Sequence, residues 1–97
     1  MRIALLAVLA AASSAVAAQD STPRNLAAAC AICHGTDGRA VTKDVNPLAG
    51  LAQDQFIARM TAFRNGTRPA TVMHQISKGY TDQQIQLIAG YFSAQKK

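Results

Sequence analysis

The sequence predicts a small all-α domain of about four helices, and three observations carry that reading. Between Thr81 and Phe92 the capping box Thr81-Asp82-Gln83-Gln84 leads into Ile85, Ile88, Ala89 and Phe92, which recur at i, i+3, i+4 and i+7 as one buried helical face. Phe56, Ile57, Met60 and Phe63 mark a similar stripe in the stretch from Gln53 to Asn65, and Gly66 stands where a helix should end. No stretch reads convincingly as a strand.

The chain has 97 residues. Arg2, the apolar run Ile3 to Ala12 and the small residues Ala15-Val16-Ala17 or Val16-Ala17-Ala18 follow the order of a secretory signal peptide, cleaved from residues 1–18. The apolar run is short and made of small residues, which argues against retention as a membrane anchor and leaves no membrane span after cleavage. What remains is a single domain over 19–97, exported to the periplasm. A core that small is marginal alone and usually needs a staple. The formal charge is +5, or +4 once Arg2 has left with the leader, and the five acidic residues are all Asp. That balance suits an acidic partner surface. The absence of a basic run interleaved with aromatics speaks against a nucleic-acid groove.

In chain order, Thr22-Pro23 reads as an N-cap followed by proline at the first helical position. Leu26-Ala27-Ala28-Ala29 carries the helix into Cys30-Ala31-Ile32-Cys33-His34, and Gly35 ends it. At roughly 100° per residue, Cys30, Cys33 and His34 fall within an arc of about 100°, so two thiols and an imidazole face one planar ligand. This is the pattern of a covalent c-type haem attachment site. Cys30 and Cys33 would add to the two porphyrin vinyl groups as thioethers, and His34 would approach the iron as its proximal ligand. The attached macrocycle would then be the staple. Other readings compete for the same residues. A thioredoxin-like redox pair would need a βαβ setting. A short-loop disulfide is also open, as is a zinc site built from Cys30, Cys33, His34 and His74, although adjacent ligands such as Cys33 and His34 are unusual for structural zinc.

From Gly35 to Gly50 the glycines, Pro47 and short polar residues predict a loop. An iron-bound imidazole needs its other ring nitrogen held by an acceptor, and Pro47 offers a carbonyl with no competing donor. A helix should start near Gln53 or Asp54 and run to Asn65, with Arg59 and Arg64 off its buried stripe and Met60 a core filler rather than a ligand. Thr67 to His74 reads as a turn leading into a short helix closed by Gly79. Met73 is the expected sixth ligand, with His74 as its competitor, since bis-histidine ligation is chemically sound. The last helix should pack against the first helix and the haem edge, with Lys96 and Lys97 at its C-terminal dipole.

This order of parts resembles the class I c-type cytochromes over the whole domain. The resemblance implies a cytochrome c-like fold wrapped round one covalently attached haem c, the Pro47 carbonyl holding His34, and Met73 as the methionine ligand. It also implies an apolar shell of Leu48, Phe56, Met60, Phe63, Ile85 and Phe92 that keeps water from the iron while one porphyrin edge stays open to a partner. The blocks Phe63 to Met73, Ile76 to Asp82 and Ile88 to Phe92 are similar to the haem subunits of flavocytochrome c sulfide dehydrogenases. Some relatives carry two haem domains, whereas this chain has one C-x-x-C-H. That second resemblance implies outer-sphere one-electron transfer with no catalytic residue of its own. Sulfide would be oxidised by a flavoprotein subunit, the other half of a heterodimer, with FAD on that partner only. The alternative is a free shuttle cytochrome of a respiratory or photosynthetic chain, docking weakly on an acidic redox partner.

Overall fold

Four helical units account for the fold of residues 20–97, which are the residues the computed structural model describes; the leader expected over residues 1–18 lies outside them. The first unit runs from α1 (Thr22–Ala27) through a 3-10 turn (Ala28–Cys30) into α2 (Ala31–His34). The others are α3 (Gln53–Asn65), α4 (Met73–Lys78) and α5 (Asp82–Ser93). The described residues contain no strand, and no helix among them is long and apolar enough to cross a membrane.

At the first helix the cap differs from the expectation by one position. Thr22 is already helical, Ser21 holds the N-cap position without a side-chain bond to the first-turn amides, and the Thr22 amide donates to Asp20 Oδ1 at 3.0 Å. Pro23 has no N–H to satisfy, so one carboxylate beside the first turn does the work expected of Thr22.

Helix α3 matches its expected limits. Gly66 closes it at φ 76°, with its N–H directed at the Ala62 and Phe63 carbonyls. Phe56 and Met60 are buried, and Ile57 and Phe63 pack partly buried beside them. Met60 is therefore core. Off the stripe, Arg64 donates to the Tyr80 carbonyl at 2.7 Å and to Asp82 Oδ1 at 2.5 Å, tying α3 to the turn between α4 and α5.

Helix α5 is the centre of the packing. Its capping box is complete, with Gln84 N donating to Thr81 Oγ1 at 3.1 Å and Thr81 N to Gln84 Oε1 at 2.9 Å. The expected face is the buried one: Ile85, Ile88, Ala89 and Phe92 join Ala27, Phe56 and Met60 in the core. Each buried Ile or Phe contributes roughly 1.5–3 kcal/mol. Phe56 and Phe92 meet with ring centroids 5.8 Å apart. α5 lies against α1 and α3, and α4 lies against α3. Lys96 and Lys97 fall beyond Ser93, so the last turn of α5 carries no basic side chain and the expected dipole pairing is not made.

The long loop is sewn to the end of α5. Gly38 accepts from the Leu48 and Ala49 amides at 2.8 and 3.1 Å, and Gly50 N donates to the Phe92 carbonyl at 2.8 Å. A 3-10 turn at Thr36–Gly38, which the sequence did not suggest, places Asp37 at φ 54°. The Tyr91 hydroxyl donates to that carboxylate, which pushes the Tyr91 hydroxyl up from its ordinary pKa. Gly38 is buried at φ 80°, and a Cβ there would stand 2.7 Å from Ala49 N and 2.9 Å from Phe92 Cδ1. Gly38→Ala is therefore expected to lose about 2–5 kcal/mol, from left-handed strain and overpacking together. Denaturant unfolding checks this, and a loss below about 1 kcal/mol would show that the loop can leave Phe92 at little cost.

Candidate functional site

Both thiols are free, so the disulfide reading is not realised. They differ in setting. Cys30 is half-buried against the core, and burial pushes its thiol up from the ordinary value. Cys33 is exposed, and Ile32 between them is 86% exposed, an apolar side chain left on the open side of the motif. Tyr80 approaches from the turn between α4 and α5. Burial raises its hydroxyl pKa, and the nearby Cys30 sulfur adds to the rise.

His34 ends α2, half-buried, and its Nδ1 lies 2.7 Å from the Asn46 carbonyl oxygen. A carbonyl can only accept, so Nδ1 is the donor and Nε2 keeps its lone pair for a metal. The partner expected at Pro47 is thus corrected to Asn46, one residue earlier. The Leu48 and Ala49 amides on the Gly38 carbonyl set the register of this loop, and the proline pushes Asn46 toward extended backbone. Neighbouring carbonyls in extended backbone face opposite ways, so only one of the two can meet the ring. No local sequence pattern separates these two carbonyls; the bonds to Gly38 do.

Met73 is the first residue of α4 and packs half-buried against the core. His74, its competitor, has its ring committed elsewhere, with Nε2 2.6 Å from the Arg68 carbonyl and the ring centroid 6.4 Å from that of Phe63. Among the described residues no three His, Cys, Asp or Glu side chains converge on a common point, so the four-residue zinc set is not assembled.

The donors that remain fit a haem. Two unpaired thiols lie on one helical segment, the imidazole beside them is held in the tautomer that frees Nε2, and a thioether stands on a separate element. Leu26, Leu48, Leu51, Ile57 and Phe63 pack partly buried against the core.

No protein-family model matches the chain. It is 40% identical over 67 residues to the cytochrome subunit of sulfide dehydrogenase from Chlorobaculum tepidum, covering 69% of this chain and 60% of that protein. With cytochrome c-552 of Acidithiobacillus ferridurans it shares 41% over 66 residues, covering 68% of this chain but 28% of that protein. With cytochrome c-554(548) of Halomonas halodenitrificans it shares 33% over 70 residues, 69% of this chain and 84% of that protein. The chain belongs to the c-type cytochromes. As a c-type cytochrome it carries covalent haem c. It spans 60% of the sulfide dehydrogenase subunit and 28% of cytochrome c-552, so it is similar to part of each.

Replacing Cys30 and Cys33 together with Ala is expected to abolish covalent haem and leave a largely unfolded cytochrome, because the apoprotein core is small. A haem stain after denaturing electrophoresis reads the first effect and circular dichroism the second. A double variant that folds cooperatively without colour would show that the core needs no staple.

Proposed function

We propose that this cytochrome is a periplasmic one-electron carrier and the haem subunit of a flavoprotein sulfide dehydrogenase. Residues 1–18 are its cleaved leader and 19–97 its functional domain. Cys30 and Cys33 would hold the haem as thioethers, and His34 and Met73 would supply the imidazole and thioether donors to its iron. The 40% identity to the sulfide dehydrogenase cytochrome subunit supports the choice of partner.

The bound haem supplies a one-electron couple. The rest is done by the chain. The Asn46 carbonyl draws on the Nδ1 proton of His34, which orients the ring and raises the basicity of Nε2. The Met73 thioether, a soft donor, favours the ferrous state and raises the potential. Phe56, Met60, Ile85 and Phe92, all buried, together with the partly buried Leu48 and Phe63, keep water from the metal. Oxidation of sulfide would fall to the FAD of the partner, and the cytochrome would take the electrons. A formal charge of +4 over 19–97 favours an acidic face on that partner.

A second reading has its own support. The chain spans 84% of cytochrome c-554(548), so it also matches a protein of nearly its own size and would serve as a freely diffusing shuttle. Gentle purification from the native periplasm distinguishes the two. The subunit reading expects a flavin-containing protein to co-elute and sulfide to reduce the haem. A monomer that elutes alone, unreduced by sulfide, and docks on redox partners in a salt-sensitive way supports the shuttle.

Met73→Ala is expected to lower the midpoint potential by on the order of 0.1 V, within the roughly 0.8 V range over which axial ligands tune haem. Potentiometric titration measures it. If Met60→Ala or His74→Ala produced that drop and Met73→Ala did not, the ligand would be reassigned.

A further inference from the structure

The residue after Met73 is the chain's second histidine, and the structure gives it a partner of its own. His74 Nε2 lies 2.6 Å from the Arg68 carbonyl oxygen, so the nitrogen donates and the segment from Arg68 to His74 is closed into a loop. Arg68 is itself anchored, its amide and that of Thr67 both donating to the Ala62 carbonyl at 3.2 and 3.0 Å. Its guanidinium carbon lies 5.5 Å from the centroid of the Phe63 ring, which also neighbours the His74 ring. On the far side, the fully buried Ser77 donates to the His74 carbonyl at 3.2 Å. A line of bonded groups therefore runs from the end of α3 through Arg68 and His74 into α4.

Helix α4 needs such support. It has six residues, and Val72 at its N-cap makes no side-chain bond to the first turn. An isolated helix of that length does not hold itself, and its first residue is the one most free to fray. That first residue is Met73. Neighbouring side chains on a helix diverge by about 100°, so a His74 ring committed to Arg68 leaves Met73 committed to another side. Met73 packs against the core accordingly.

We propose that His74 is a positioning residue whose ring latches the Arg68–His74 loop shut and so holds the Met73 thioether on the iron. The inference rests on Met73 being the axial ligand, and it assigns His74 the work of keeping that ligand in place. Opening the latch returns the loop its conformational freedom, and the thioether then spends more of its time off the metal.

An added ligand can reach the iron only when the thioether has left, so the affinity of the ferric protein for imidazole measures the open fraction. His74→Phe keeps an aromatic ring beside Phe63 and loses the donor, while His74→Gln keeps a donor. The Phe variant is expected to bind imidazole about five- to tenfold more tightly than the parent, and the Gln variant to stay within about twofold of it. Unchanged affinity in the Phe variant, with the thioether-to-iron charge-transfer absorption present in the parent, overturns the latch and leaves the ligation standing. Absence of that absorption in the parent overturns the Met73 ligation and the latch together. If the Phe variant fails to fold, the parent decides by NMR. A His74 Nε2 proton that exchanges slowly with solvent supports the bond to Arg68, and exchange as fast as that of a free imidazole overturns it.

Discussion

His34 ends a helix, and a side chain in that place swings unless something outside the helix holds it. What holds it is one carbonyl, that of Asn46, 2.7 Å from Nδ1. The position of that carbonyl depends in turn on the Leu48 and Ala49 amides, both bonded to the Gly38 carbonyl. Gly38 can sit there because, lacking a Cβ, it fits between Ala49 and Phe92. Phe92 belongs to the buried face of α5. The aim of the His34 imidazole thus traces back, through backbone groups, to the packing of the last helix.

The two histidines make the same kind of bond with opposite results. Each donates to a backbone carbonyl, His34 through Nδ1 and His74 through Nε2. The first arrangement leaves the outer nitrogen free to bind a metal, and the second spends it. Identity of side chain therefore says little about ligation in this chain. The choice is made by which ring nitrogen the loop reaches, and that follows from loop register.

The two cysteines are likewise unequal. Cys30 is drawn into the core beside Tyr80, whereas Cys33 remains exposed with Ile32. One thiol thus ties the motif to the protein's interior and the other stands at its open edge. A domain this small gains most from a group that bridges interior and edge, because its apolar core alone is marginal. Around the motif, Arg64 and the Thr81 cap hold the turn that brings Tyr80 in.

The limits of α3, the buried stripe of α5, the core role of Met60 and the C-x-x-C-H segment were determined by the sequence alone. These features are written in patterns no longer than a turn or two of helix: a cap, a glycine, a period of 3.6. The C-x-x-C-H segment carried the resemblance to the c-type cytochromes, and membership rests on the identity to known members. The acceptor of His34 needed the fold, since Asn46 lies 12 residues from it and its direction is set by bonds to Gly38 rather than by the neighbouring Pro47. So did the separation of Met73 from His74, which rests on the Arg68 carbonyl, and the first cap, where Ser21 takes the N-cap position and Asp20 accepts from the Thr22 amide. Periodicity reports which face of a helix is buried, but where a loop carbonyl points is decided only when the chain has closed on itself, and in this cytochrome loop carbonyls hold both histidines.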